Sequence, residues 1–182
     1  MAQITRMKCL TNAECSDWLR NQRMVEEPYG EPLPVGFHYK QFAPPTSARH
    51  LAAFSRHLFD WLGNYDTALL HITDWGLYKP DEMAVIQAIR RSHGEHRMLI
   101  DAPGHLFEAK ERDELIGMFY LTVMFGWSAY LYFPAAKATI FNWEGDLIDL
   151  WSADAEHFSK FSSIIDTFQL RVTGRKNVTA KG

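Results

Sequence analysis

Cysteine is scarce in this 182-residue chain, which contains only Cys9 and Cys15. Two cysteines at this separation match neither a disulfide framework nor the ligand spacing of a structural zinc site, and they predict a reducing compartment. The chain has no run of about 18 apolar residues, the length that a membrane span requires. Its first ten residues lack a continuous apolar segment of signal-peptide length. We therefore expect a soluble cytoplasmic protein with no membrane partner.

An excess of positive charge is also missing, since the formal net charge is −3. Nucleic-acid binders gain much of their affinity by neutralising phosphates, so this charge argues against that class. The last twelve residues contain four basic and no acidic side chains, which leaves residues 1–170 with a net charge of −7. The acidic body either steers basic partners or simply keeps the protein in solution.

The sequence lacks the common catalytic motifs. It contains no phosphate-binding Gly-x4-Gly-Lys-Ser/Thr loop, no dinucleotide Gly-x-Gly-x-x-Gly pattern, no Gly-x-Ser-x-Gly nucleophile elbow and no zinc-binding His-Glu-x-x-His. These absences favour a protein without catalytic activity. An enzyme would need a site assembled from distant segments.

Apolar periodicity is present and divides the chain into alternating elements. A capping-box pattern at 11–14 and apolar residues at three- and four-residue intervals predict helices over 11–24, 47–63, 80–93, 111–125 and 154–168. Short apolar or alternating runs predict strands over 37–42, 67–73, 98–101, 127–133, 137–143 and 146–151.

This order predicts an α/β fold with α+β character at its C-terminal end. We expect a single sheet of mixed strand direction, covered by helices, that ends in an antiparallel three-strand meander followed by a helix. Residues 1–172 would form one domain. Within it, residues 25–46 contain five of the eight prolines and are predicted to form a Pro/Gly-rich loop arm. Residues 173–182 are predicted to be a loose basic tail.

Candidate chemistry lies at the ends of two predicted central strands. His71 and Asp74 belong to the first strand end, and Asp101 and His105 to the second. If the strands are neighbours, these four side chains converge as ligands of a divalent metal, with Asp74, Asp101 and His105 as catalytic groups of a hydrolase. The alternative is that His71 packs inside a strand with its ring hydrogen-bonded, while both aspartates cap turns.

The predicted meander carries an aromatic face. Tyr130 and Tyr132 alternate with apolar residues, and Trp143 ends the next strand. If helices cover only the opposite face, these three residues form a partner surface, since Trp and Tyr dominate binding hot spots. If helices cover both faces, they belong to the core.

These observations favour a non-catalytic protein-binding domain whose partner is another protein or a second copy of the chain. This function needs no cofactor. The alternatives are the divalent-metal hydrolase and a domain that binds a small ligand.

Overall fold

The computed structural model describes residues 7–29, 36–77 and 79–173, which form one antiparallel sheet of eight strands. Their order across the sheet is β1-β4-β3-β5-β6-β7-β2-β8. The strands are β1 (Lys8–Leu10), β2 (His38–Phe42), β3 (Thr67–Asp74), β4 (Gly104–Glu108), β5 (Ser128–Phe133), β6 (Ala138–Trp143), β7 (Leu147–Ser152) and β8 (Val172–Thr173).

The first two helices begin where the sequence supplies a side-chain cap. In the first helix, Thr11 and Glu14 form a reciprocal capping box, and in the second the Ser47 hydroxyl accepts the backbone N–H of His50 at 3.3 Å. The helices are α1 (Asn12–Gln22), α2 (Ala48–Leu62), α3 (Pro80–Ser92), α4 (Arg112–Met124), α5 (Ala155–Lys160) and α6 (Ser162–Phe168).

The α/β fold class is confirmed, as are the C-terminal antiparallel meander of β5, β6 and β7 and the helical segment that follows it. The expected mixture of strand directions is wrong, because every strand pairing in the described chain is antiparallel. The reason lies in the connection from β3 to β4. Helix α3 and the loop after it bring the chain back to the end of β3 that it had left, where the Ile72 N–H donates to the Pro103 carbonyl at 3.2 Å. Strand β4 therefore runs back along β3.

The predicted strand over 98–101 is also wrong. These residues form a turn in which the Asp101 N–H donates to the Met98 carbonyl at 3.2 Å, and β4 begins only at Gly104. Leu99 is buried, whereas Met98 is 67% and Ile100 is 69% exposed. Three consecutive apolar residues do not distinguish a buried strand from a turn in which one side chain points inward.

The two faces of the sheet are covered differently. The first, which we call the main face, packs against α2, α3, α4 and α6 through a large core that includes Phe54, Leu58 and Phe119. The second, which we call the arm face, carries a smaller cluster covered by α1 and by described parts of the arm. Its contacts include Leu19 of α1 and Tyr29 of the arm. The sheet is therefore buried on both sides, more thinly on the arm face.

Parts of two predicted segments lie outside the described residues. Positions 30–35 of the arm and 174–182 of the tail are not described, and residue 173 belongs to β8. Within the described ranges, none of the helices has the length and apolar character needed to cross a membrane.

Candidate functional site

Helix α1 packs closely on the arm face because β4 begins with a glycine there. Gly104 lies beside His71 of β3 in the strand register, and a Cβ at Gly104 would collide with the Cys15 sulfur of α1. The missing side chain lets α1 rest on the sheet with its N-terminal turn beside His71. Across this gap, the Nε2 atom of His71 lies 2.9 Å from Oδ1 of Asn12, the first residue of α1.

The arm continues from α1 and places two carboxylates near the same histidine. The Ser16 hydroxyl donates to Oε1 of Glu26 at 2.7 Å, which ties the arm to α1. Glu27 has a φ of 50°, in the left-handed region that non-glycine residues rarely adopt. Its backbone N–H donates to the Tyr132 hydroxyl at 3.4 Å. These two bonds fix the arm over the sheet.

A cavity of about 450 Å³ opens between α1, the arm, the end of β3 and the loop before β4. Its size falls within the range of small-molecule and side-chain pockets. A β-bulge at Thr73 contributes to its wall, since the β3–β5 register shifts between Ile72 and Asp74. Bulges redirect side chains and are common beside functional sites. Its lining includes Asn12, Glu26, Glu27, His71, Thr73 and Ile100.

His71 is the most buried titratable group of this cavity, at 7% exposure. Burial lowers its pKa, and the nearby Glu26 carboxylate opposes that shift only partly, so the ring is neutral at neutral pH. The Asn12 Oδ1 atom accepts hydrogen bonds and cannot donate, so the proton of the neutral ring resides on Nε2. Nδ1 is then an acceptor, and it makes no hydrogen bond within the described chain.

The rim of the cavity is formed by the turn over residues 98–101. The buried Arg90 side chain of α3 supports this turn from below, with Nη2 at 3.5 Å from the Arg97 carbonyl and 3.4 Å from the Met98 carbonyl. Arg97 also donates to the Cys9 carbonyl at 2.9 Å. The exposed Met98 and Ile100 side chains therefore extend from a backbone that these hydrogen bonds hold in place.

The strand register separates two of the four predicted metal ligands. Side chains alternate between faces along a strand, so His71 lies on the arm face with Leu69, whereas His105 lies on the main face with Phe107. Asp74 is exposed and accepts the Gly76 N–H at 3.0 Å, which makes it a turn cap.

The fourth residue, Asp101, is exposed at the end of the 98–101 turn. Among the described residues, no three His, Cys, Asp or Glu side chains are grouped closely enough to hold a metal ion. The arrangement thus gives the predicted metal site no support, although whether the protein binds a metal remains an untested prediction.

His105 is fully buried between β1 and β3. Its ring is 6.0 Å from that of Trp75. Burial, together with the positive charge of Arg90, lowers its pKa to about 3. His105 is therefore a neutral core residue of the main face.

The predicted partner surface needs correction at two of its three residues. Tyr130 and Tyr132 are buried beneath α1 and the arm, because that cover, which the sequence did not reveal, lies over the aromatic side of the meander. Burial raises the pKa of Tyr130 to about 12. Trp143 remains 41% exposed, and its indole N–H donates to the Tyr29 hydroxyl at 3.0 Å.

Sequence reasoning missed most of the cavity. Glu26 and Glu27 lie in the proline-rich arm, where no periodic pattern indicates which way a side chain points. Asn12 was part of the predicted capping box but had no recognised partner. Met98 and Ile100 lie in a run whose apolar character predicts a buried strand, and only its short length and the Pro103-Gly104 pair after it indicate a turn.

No protein-family model matches this chain, and comparison with curated proteins and with solved structures gave no significant match.

Proposed function

We propose that this chain is a non-catalytic protein-binding domain that contacts its partner through the 98–101 turn and the adjoining cavity. The observation that carries the proposal is the exposure of Met98 and Ile100, at 67% and 69%, on a turn whose backbone is held by Arg90 and Arg97. Covering large apolar side chains that are in contact with water lowers the free energy of the complex and so favours binding.

The bracing of the turn supports a role in binding. A partner that docks on a flexible loop must also order it, which costs free energy for each side chain that is immobilised. Here the i to i+3 hydrogen bond from Asp101 to Met98 and the buried Leu99 already hold the turn in shape. The cavity beside Ile100 adds a recess into which a partner side chain fits, as anchor residues do at protein interfaces.

Another apolar surface competes with this one. A cavity of about 540 Å³ lies between α3 and α4, and the two helices also carry the exposed side chains of Val85 and Met124. Val85 and Met124 are less exposed than Met98 and Ile100. The lining of the α3–α4 cavity includes one carboxylate, that of Glu114, whereas the cavity beside the turn includes two. The α3–α4 surface therefore provides the matched control.

The test compares proteins retained by three immobilised forms of the domain from a lysate of the cells that produce it. We expect a specific protein to bind the unmodified domain and the Val85→Ser/Met124→Ser control, and to be lost with Met98→Ser/Ile100→Ser. Its affinity should then be measured by calorimetry with the purified partner. Equal retention by all three forms would contradict the proposal.

A second copy of the chain is one candidate partner. Sedimentation of the purified domain over a range of concentrations tests this case. Self-association that disappears in Met98→Ser/Ile100→Ser identifies the partner as the protein itself, and a monomer at every concentration points to a different protein.

A small-ligand-binding domain is a second candidate function. The size of the cavity on the arm face and its mixture of polar and apolar lining residues favour it. A metabolite that raises the melting temperature of the unmodified domain, but not of a variant with the cavity filled by Thr73→Trp, would support this function over protein binding.

We further propose that the protein acts in a reducing cytoplasmic compartment. Cys9 and Cys15 are both free and buried, and burial raises their pKa values to about 11 and about 12, so both remain unreactive thiols.

A further inference from the structure

The cavity on the arm face is lined by hydrogen-bond acceptors that come from two parts of the chain. The arm supplies the carboxylates of Glu26 and Glu27, and β3 supplies the Nδ1 atom of His71 and the hydroxyl oxygen of Thr73. The Thr73 hydroxyl donates its proton to the Ser128 carbonyl at 3.3 Å, which leaves its oxygen as an acceptor. A ligand that fits this lining must therefore be rich in donors.

His71 is the observation that goes beyond a pair of acidic residues. Its side chain is 7% exposed, lines the cavity, and uses Nε2 to donate to Asn12. Nδ1 has a lone pair with no donor among the described residues. A ligand that donates a hydrogen bond to this nitrogen would occupy a lone pair that the described residues leave free.

Charge points to the same class of ligand. Neither Glu26 nor Glu27 forms a salt bridge within the described chain, and no Lys or Arg is among the cavity's described lining residues. Glu26 keeps one carboxylate oxygen beyond the atom that accepts from Ser16. The two carboxylates are thus available to pair with a cation from outside.

We propose that this cavity binds the guanidinium group of an arginine side chain on the partner protein. The inference rests on the proposed function, with the arginine beside the apolar partner residues that cover Met98 and Ile100. A guanidinium carries five N–H donors in one plane and reaches acceptors on several sides at once. One of its flat faces can lie against the apolar Ile100 side chain of the lining.

The test titrates the domain with N-acetylarginine amide and follows the imidazole nitrogens of His71 by long-range ¹H–¹⁵N NMR. The His71 signals are assigned from their loss in His71→Gln. We expect a saturable shift of Nδ1 towards the frequency of a hydrogen-bonded nitrogen, with a dissociation constant of about millimolar for one isolated side chain. N-acetylcitrulline amide, which has nearly the same shape without the charge, should leave Nδ1 unmoved.

Paired variants locate the site. Glu26→Gln/Glu27→Gln should weaken binding by about tenfold or more, since each lost carboxylate removes a charged hydrogen-bond acceptor. Glu144→Gln/Asp146→Asn removes the same charge from a different surface and should bind as the unmodified domain does. An unmoved Nδ1, an equal shift with citrulline, or an equal loss in both variants would overturn the inference.

The outcomes separate this inference from the proposed function. If the arginine compound binds but Met98→Ser/Ile100→Ser retains every partner, the cation site stands and the protein-binding turn does not. If the turn variant loses a partner while the arginine compound leaves His71 unchanged, the protein-binding function stands and the guanidinium pocket is wrong.

Discussion

The main face and the arm face of the sheet bury their side chains by different means. On the main face, several helices cover a core rich in Leu and Phe, in which residues such as Leu58 and Phe59 are fully buried. On the arm face, one helix and an extended segment cover a smaller cluster that includes Tyr130, Tyr132 and Trp151. Tyr29 illustrates this difference, because its ring lies edge-on to Trp151 at 4.7 Å and to Trp143 at 5.3 Å.

The thinner layer of chain over the arm face explains why the hydrogen-bonded polar side chains described above and the cavity with His71 lie there. Tyr and Trp pack through their rings and keep a polar atom that reaches water or a backbone group, so they suit a face with a thin cover. The Tyr39 hydroxyl and the Trp143 indole both donate to the Asp149 carboxylate on this face. The cavity with Glu26, Glu27 and His71 lies under the same cover. We therefore expect the main face to determine stability and the arm face to carry function.

Matched leucine truncations give the largest expected effect. Leu58→Ala on the main face should lower the free energy of unfolding by about 3–5 kcal/mol, because the surrounding helices cannot collapse into the void. Leu19→Ala on the arm face should cost about 2–3 kcal/mol, because α1 can settle towards the sheet. Urea denaturation measures both. An equal or larger loss for Leu19→Ala would contradict the ranking of the two faces.

Acid should lower the free energy of unfolding through His105, which lies on the main face. Its pKa is lowered from 6.5 to about 3 in the fold, so between these pH values the unfolded chain takes up a proton that the native chain does not. Stability therefore falls as the pH drops below 6.5, by at most about 1.4 kcal/mol per pH unit. Urea denaturation at pH 7 and at pH 5 tests this expectation. The free energy of unfolding should fall less between the two pH values in His105→Leu than in the unmodified protein.

His71 on the arm face should also make the free energy of unfolding fall as the pH drops. We expect a smaller effect than for His105, because Glu26 opposes the lowering of the His71 pKa. His71→Gln should therefore reduce the loss between pH 7 and pH 5 less than His105→Leu does. A pH dependence that is unaffected by His105→Leu would show that the fold tolerates a charge at this buried position.

The anchoring of the arm should produce a smaller and more local effect. Tyr29→Ala removes the aromatic contacts with Trp143 and Trp151 and should lower stability by about 1–2 kcal/mol. It should also speed hydrogen exchange at the Trp143 indole, which loses its bond to the Tyr29 hydroxyl and keeps the one to Asp149. Tyr120→Ala, at a half-buried position on the main face, is the control and should leave that indole unchanged. Equal exchange rates in the two variants would mean that Tyr29 does not hold the arm.

The smallest effect is expected from removing single hydroxyl groups. Tyr132→Phe removes the acceptor of the Glu27 N–H and should cost about 0.5–1 kcal/mol, with faster exchange of that amide. Tyr65→Phe on the main face removes a buried hydroxyl that has no partner in the described chain, so it should be neutral or stabilising. The reverse order of stabilities would contradict the expectation that a hydrogen-bonded hydroxyl contributes more than one without a partner.

Much of the fold could be predicted from the sequence, because its helices and most strands carry strong local signals. The capping box at Thr11, the Ser47 cap and the short turns of the meander all operate within a few residues. Strand direction could not be predicted in the same way. The antiparallel pairing of β3 with β4 depends on how α3 and its loop return the chain, which is a property of tertiary packing.

The candidate site was less accessible to sequence reasoning. The sequence singles out His71, like its expected partners Asp101 and His105, only by its position near the end of a predicted strand. Strand alternation places His105 on the other face, and the actual neighbours of His71 come from α1 and the arm. Contacts between segments far apart in sequence, or through loops without periodicity, leave no pattern that a single sequence reveals.

The central claim is that a partner docks at the 98–101 turn, and site-specific photo-crosslinking tests it most directly. A photoreactive phenylalanine derivative is placed at position 100 and, as the control, at position 124 on α4, and both proteins are irradiated in a lysate of the producing cells. We predict a discrete crosslinked product at position 100 that weakens when Glu26→Gln/Glu27→Gln is added, and no corresponding product at position 124. Identical products at both positions, or none at position 100, would contradict the claim.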